Sequence, residues 1–114
     1  MSNVTSGIDR FSGLEILSER AGDEHVVRLI GELDLSDADR VTAELMRAES
    51  TDAARIVLDL SRLEFIDSTG IRLIVAADMR SRADGDRLRL VAGTAPVQRV
   101  FALTGLLEHL PFAG

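Results

Sequence analysis

Cysteine and lysine are both absent from this chain, and each absence removes several kinds of chemistry. Without cysteine there can be no disulfide, no thiolate metal ligand and no cysteine nucleophile, which fits a reducing compartment. Without lysine there can be no phosphate-binding lysine of a P-loop, no Schiff base and no lysine general base. The enzyme classes that depend on these groups are therefore excluded.

Long apolar runs and an excess of positive charge are also missing. The longest apolar run, residues 73–77, is far short of the roughly 20 residues that a membrane span needs. The first 13 residues lack the positive start and apolar core of a signal peptide, so we expect a cytoplasmic protein that does not enter a membrane. The formal net charge of −6 argues against nucleic acid as a partner and favours a protein with a basic or mixed surface.

The length of 114 residues and the 46% share of apolar residues indicate one globular domain, expected over residues 14–114 after a flexible lead-in, residues 1–13. Alternating apolar residues predict strands at 14–18 and 25–30, joined by a turn into a hairpin. The near-continuous apolar run at 55–60 predicts a central strand covered on both faces, and residues 88–91 predict a fourth strand. A short last strand is expected within residues 107–112.

The spacing of other apolar residues predicts three helices. The first begins at Ser36, with Asp39 completing a capping box, the second spans about 68–82, and the third spans about 96–105. Their expected buried faces comprise Ala38, Val41, Leu45 and Ala48, then Ile71, Ile74, Val75 and Met79, and finally Val97, Val100 and Phe101. Because strands that alternate with helices require a mainly parallel sheet, we expect an α/β fold with a mixed, mostly parallel sheet of four to five strands and about three helices.

The most informative segment follows the predicted central strand: a short loop and then Asp67-Ser68-Thr69-Gly70 at the start of the second helix. Helix N-termini carry unpaired amides and a partial positive charge, and Ser68 is expected to expose its hydroxyl at such an end. Gly70 is expected to leave room around that hydroxyl. Arg72, four residues after Ser68, is expected one turn away on the same face.

Three interpretations fit Ser68. The simplest is that Asp67 or Ser68 only caps the helix, which explains both residues but not Gly70, a poor residue for a first turn. A nucleophilic serine is disfavoured because the Gly-x-Ser-x-Gly elbow is not met and the only imidazoles, His25 and His109, are remote in sequence. Two isolated histidines also make a poor zinc site. The third interpretation is a phosphoacceptor.

Three short motifs stand at the ends of predicted elements: Gly31-Glu32-Leu33-Asp34 after the second strand, Phe65-Ile66-Asp67-Ser68-Thr69-Gly70 before the second helix, and Leu103-Thr104-Gly105-Leu106 at the end of the third helix. Together they resemble the STAS domain of bacterial anti-sigma factor antagonists. The resemblance covers roughly residues 14–112. Such domains often carry a further C-terminal helix, which this sequence does not show, so contacts made by that helix are expected to be missing or replaced.

The resemblance implies that Ser68 is the residue that an anti-sigma factor with serine kinase activity phosphorylates. Asp67 would help to bind this partner or to position the phosphoacceptor, and Thr69 and Gly70 would complete the turn. Asp34 would border the partner's footprint, although an ordinary loop aspartate is an equally good interpretation of it.

The resulting hypothesis is a regulatory protein, not an enzyme, with no cofactor of its own. While unmodified it would bind the kinase and free a sigma factor, and phosphorylation with the kinase's ATP and Mg²⁺ would release it until a phosphatase resets it. A phosphate adds about −1.5 to −2 charge, and the guanidinium of Arg72 would stabilise it. Arg72 is also expected to contact the partner, together with Asp34, Asp67, Ser68, Thr69 and Gly70.

Two other regulatory classes are alternatives to this hypothesis. A non-switching STAS scaffold, or a subunit of a transport or signalling assembly, is the alternative, and its complex would be insensitive to charge at Ser68. A response-regulator receiver domain is excluded because it needs a lysine. The sequence leaves the oligomeric state open.

Overall fold

The computed structural model describes residues 13–113, so the expected lead-in lies outside the described part except for Gly13. One sheet forms the centre, with its four strands in the order β1, β2, β3, β4. These strands are Leu14–Ala21, Glu24–Leu33, Arg55–Ile66 and Leu88–Val91. β1 and β2 are an antiparallel hairpin, whereas β2, β3 and β4 are parallel neighbours. The predicted mixed, mostly parallel sheet is confirmed.

Three helices pack on the sheet: α1 (Ala38–Glu49), α2 (Ser68–Arg82) and α3 (Ala95–Leu103). Side chains alternate between the two faces of a strand, and one face is buried beneath the helices. This core contains Val27, Leu29, Ile56, Leu58, Leu60, Leu88 and Leu90 from the strands and Val41, Leu45, Ile74, Val97 and Phe101 from the helices. The expected α/β fold with three helices is confirmed. Within residues 13–113, no helix combines the length and the apolar character needed to cross a membrane.

Both central strands run further than the sequence pattern indicates. β2 continues through Gly31, which has a φ of +108° and where a Cβ would meet the carbonyl oxygen of Gly13. Glycine is therefore needed for close approach there and does not end the strand. β3 continues through the predicted loop to Ile66, and its register with β2 shifts twice, which marks β-bulges. The extra residues break the apolar alternation, so the sequence pattern resembles a loop.

The start of the first helical segment also differs from the prediction. Asp34, and not Ser36, is the capping residue, and its carboxylate accepts from the backbone N–H of Ser36. Asp37, and not Asp39, completes the capping box, and a 3₁₀ turn, Leu35–Asp37, precedes α1. Several neighbouring residues here can cap a helix, and the end of β2 decides between them. That end lies at Leu33, three residues beyond the predicted end at residue 30.

Two further predictions are wrong. Met79, expected in the core, is 66% exposed, because Asp78 lies on the buried side of this turn of α2 in its place. The carboxylate of Asp78 pairs with the guanidinium of Arg82 at 3.0 Å. Residues 107–110 form turns instead of a strand. Phe112 makes an isolated parallel bridge with Leu90, so the fifth strand is reduced to one bridge beside β4.

Candidate functional site

The carboxyl ends of β2 and β3 bring two aspartates to the same end of the sheet. Leu33 and Ile66, the last residues of these strands, are paired in register, and Asp34 and Asp67 follow them directly. In open α/β sheets, ligands bind beyond the carboxyl ends of the parallel strands. We call the end of the sheet that carries Asp34, Asp67 and Ser68 the Ser68 edge.

Asp67 is the N-cap of α2. Its backbone is extended, and its Oδ1 accepts from the N–H groups of Thr69 and Gly70 at 3.0 and 3.1 Å. These bonds satisfy two of the amides that a helix leaves unpaired at its N-terminus. The carboxylate is therefore held in one position directly beside Ser68, and it places a negative charge there.

Ser68 is the first residue of α2, and its side chain is exposed. Its hydroxyl makes no hydrogen bond with the residues that the structure describes. Thr69, the next residue, is half-buried. Of these two hydroxyl groups, that of Ser68 is the more accessible to another molecule.

Gly70 is buried and lies against the ends of the two central strands. A Cβ at this position would lie 2.6 Å from Cγ1 of Ile66 and 3.0 Å from Cδ2 of Leu33. The first turn of α2 can therefore approach the sheet only with glycine here. The expectation that Gly70 leaves room around the hydroxyl of Ser68 is wrong, because the missing side chain would point into the core.

Arg72 lies one turn after Ser68 and is exposed. Its guanidinium makes no hydrogen bond or ion pair with residues 13–113. Arg80 and Arg82, at the other end of α2, are both ion-paired. Arg72 is thus the cation of α2 whose charge is uncompensated within the described part of the chain, and it is also the one nearest to Ser68 in sequence.

Two carboxyl groups at the Ser68 edge differ in their electrostatic surroundings. Hydrogen bonds from the hydroxyl and the N–H of Ser36 hold the pKa of Asp34 below its usual value. Burial raises the pKa of Asp37, whose side chain is fully buried and pairs with Arg40 at 3.1 Å. Asp34 is therefore the more readily ionised of the two, and with Asp67 it makes the edge acidic.

Two apolar side chains near this edge are exposed, which the sequence pattern does not predict. Leu35, in the turn that follows Asp34, is 72% exposed, and Phe65, near the end of β3, is 47% exposed. The exposure of Leu35 is indicated by its position between the polar residues Asp34 and Ser36 in a capping turn. The exposure of Phe65 on a strand is not predicted, because the sequence pattern indicates a loop after residue 60.

Both histidines lie far from Ser68. Nε2 of His25 is 2.7 Å from the hydroxyl of Ser18, at the opposite end of β2 from Asp34. The backbone carbonyl of His109 accepts from Arg82, which is the last residue of α2. A helix of 15 residues is about 22 Å long, so no imidazole of the described residues can act as a base for Ser68. No acidic or histidine cluster able to hold a metal ion is found among residues 13–113.

The mixed sheet, the three helices and the aspartate-capped helix at the carboxyl edge define a small single-sheet α/β domain. The model of one family, the STAS domain, matches residues 15–113, and the chain belongs to this family. No curated protein sequence matches the chain.

Solved structures with the same fold include anti-sigma factor antagonists. One from Mycobacterium paratuberculosis is 24% identical, with a TM-score of 0.78 over 89% of this chain and 86% of that chain, a likeness in fold. The unphosphorylated form of the antagonist SpoIIAA is 26% identical, with a TM-score of 0.73 over 88% and 89% of the two chains. The phosphorylated form of SpoIIAA from Bacillus is 25% identical, with a TM-score of 0.67 over 88% and 92%.

Proposed function

We propose that this protein is an anti-sigma factor antagonist whose binding is switched by phosphorylation of Ser68. In the unmodified form it binds an anti-sigma factor with serine kinase activity and thereby frees a sigma factor. The kinase supplies ATP and Mg²⁺, phosphorylates Ser68 and releases the protein, and a phosphatase restores the binding form. The observation that carries the proposal is the exposed, unbonded hydroxyl of Ser68 at the start of α2.

The acidic surroundings of Ser68 support a switch that acts by charge. In the unmodified form a neutral hydroxyl lies at the same end of the sheet as Asp67 and the exposed side chains of Leu35 and Phe65, so a partner can bury this edge once its polar groups are paired. Phosphorylation adds about −1.5 to −2 charge beside a carboxylate that is already fixed in place. Even with Arg72 nearby, a partner that fits the neutral edge must then bury a net negative charge, which weakens binding strongly.

Three residues at or near the Ser68 edge have supporting roles in this proposal. Asp67 occupies the N–H groups of Thr69 and Gly70, so those amides are not available to a phosphate. Arg72 has no ion-pair partner within the described residues and can approach a phosphate on Ser68 from one turn along the helix. Asp34 lies on the neighbouring strand end, within the surface that the partner would cover.

The first test is direct phosphorylation by the cognate kinase. The protein is incubated with the kinase, ATP and Mg²⁺, and the modified residue is located by mass spectrometry. One phosphate on Ser68 is expected, and the Ser68→Ala variant should remain unlabelled. Stoichiometric labelling of Ser68→Ala would contradict the assignment of the site.

The second test separates charge from loss of the hydroxyl. Ser68→Ala is expected to bind the kinase without being released by ATP, whereas Ser68→Asp should bind at least about tenfold more weakly. Ser50→Asp is the matched control, because Ser50 is exposed at the end of α1, away from the Ser68 edge. Equal affinity of the Ser68→Asp and Ser50→Asp variants would instead favour the non-switching scaffold.

A further inference from the structure

The sheet has a second face that no helix of the described residues covers. It presents Glu15, Leu17 and Glu19 from β1, Val26, Arg28 and Ile30 from β2, Val57, Asp59 and Arg62 from β3, and Arg89 and Val91 from β4. We call this surface the open face. Leu17 is 43% exposed, and the valines and Ile30 are partly exposed. Apolar groups therefore reach solvent across much of its width.

Strand pairing arranges most of the open face into two rows that cross all four strands. One row reads, from β1 to β4, Glu19, Val26, Val57 and Arg89. The next row reads Leu17, Arg28, Asp59 and Val91. Each row can pair with the same row of a second copy that is read in the opposite direction, from β4 to β1. In the first row, an acidic residue at one end then meets a basic residue from the other end, and the two valines between them meet each other. In the second, apolar residues end the row and an acid and a base form its middle.

We propose that the open face binds the open face of a second copy of this chain. A two-fold axis parallel to the strands and between β2 and β3 places β1 of one copy over β4 of the other. Glu19 of one copy then faces Arg89 of the other, and Val26 faces Val57. In the next row Leu17 faces Val91, and Arg28 faces Asp59 across the interface. Every pair in these two rows is either oppositely charged or apolar on both sides, whereas in the shorter third row, which has no residue from β4, Ile30 faces Arg62.

The charges of the open face suit burial in this arrangement. Glu19 has no ion pair within residues 13–113, and the guanidinium of Arg89 donates only to the backbone carbonyls of Asp86 and Leu88. The central charges, Arg28 and Asp59, are already paired within one chain at 2.9 Å. The centre therefore carries compensated charge, and the unpaired charges lie at the rim, where a second copy supplies their partners.

The size of the open face indicates a dimer that dissociates readily. Two packed sheets lie about 10 Å apart with their strands within about 30° of each other. The two complete rows and the shorter third row together cover about 350 Å² on each copy, somewhat under half the area of a standard interface. At physiological salt the repulsion between two chains of net charge −6 is screened beyond about 8 Å, whereas the direct contacts are not.

Dimerisation through the open face leaves the Ser68 edge accessible. Ser68 follows the carboxyl end of β3, whereas the open face lies along the length of the strands. Because the two-fold axis is parallel to the strands, both Ser68 edges point in the same direction. The dimer is therefore independent of the switch, and phosphorylation of Ser68 is not expected to change it.

Sedimentation equilibrium of the full chain tests the proposal, at concentrations up to about 1 mM. The apparent mass should rise with concentration from 12.4 kDa toward twice that value. Arg89→Glu and Glu19→Arg should each weaken self-association at least about tenfold, because each places like charges opposite one another twice. An equimolar mixture of the two variants should associate again, because both contacts of the mixed dimer then join opposite charges.

The control is Arg99→Glu, which makes the same change of charge at an exposed position of α3 and should not alter the apparent mass. Circular dichroism checks that each variant is folded. A wild-type chain that stays monomeric at every concentration overturns the proposal, whether residues 1–12 or another protein then covers the open face. A mixture of the two variants that fails to associate overturns it as well.

Discussion

The structure leaves no room for a side chain at Gly70, so the sign of the change in unfolding free energy in a Gly70→Ala variant tests the packing. Helix propensity alone would make Gly70→Ala stabilising by up to about 1 kcal/mol. The new Cβ would lie 2.6 Å from Ile66, and overpacking of this kind typically costs about 1–3 kcal/mol. Subtracting the gain from the cost leaves an expected net destabilisation of about 1 kcal/mol, and at most about 2–3 kcal/mol, in urea unfolding. Ala76→Gly, at an exposed position of α2, measures the propensity effect separately, and a stabilised Gly70→Ala variant would contradict the packing.

The sequence predicts correctly that Ser68 lies at the start of a helix, but it gives the wrong reason for glycine at position 70. The first result depends on local chemistry, because Asp67 is a strong capping residue and is followed at once by a helical pattern. The second depends on Leu33, which is distant in the chain and meets Gly70 only after β2 and β3 have paired. Exposure of a side chain and crowding by the sheet cannot be distinguished before that pairing is known.

Among the elements, the ends of α1, β3 and β4 are joined by one side chain. Arg87 donates to the backbone carbonyls of Glu49, Thr51 and Ala53 and to the carboxylate of Asp84, and its side chain is only 16% exposed. In an Arg87→Met variant these carbonyl groups lose a charged donor. We expect a loss of about 2 kcal/mol in the free energy of unfolding.

The control for Arg87→Met is Arg99→Met, because Arg99 is exposed and makes no hydrogen bond or ion pair with the described residues. Its free energy of unfolding should change by less than about 0.5 kcal/mol. Equal effects of the two substitutions in the same urea titration would show that the contacts of Arg87 contribute little beyond its charge.

The sequence predicts helices and strands whose apolar residues recur at a regular spacing, but it does not predict the irregular parts of strands. α2 was predicted with its true ends because a cap, a helical stripe and a turn agree in one segment. β3 was predicted only as far as residue 60, since two bulges interrupt its alternation beyond that point. As a result Phe65 was assigned to a loop, and the open face could not be recognised. The register between strands, which creates the rows of that face, is not contained in the pattern of any single strand.

The stability of the whole molecule in acid depends on two aspartates, Asp59 and Asp37, whose protonation changes the free energy of unfolding in opposite directions. Burial tends to raise the pKa of Asp59, but hydrogen bonds from Ser61 and the Arg28 guanidinium outweigh it and hold that pKa below its ordinary value of 3.8. A lowered pKa stabilises the folded state above pH 3.8, and this stabilisation is lost as the pH falls below it. Burial raises the pKa of Asp37, so acid relieves an unfavourable buried charge there.

These opposite signs predict an order among three proteins. Unfolding by urea is measured at about pH 6 and about pH 3, at low protein concentration so that self-association does not contribute. The free energy of unfolding should fall least in Asp59→Asn, because this variant lacks the group that loses stability in acid. It should fall more in the wild type and most in Asp37→Asn, which lacks the compensating group. If Asp59→Asn falls as much as the wild type, the ion pair with Arg28 does not hold the carboxylate ionised in the folded chain.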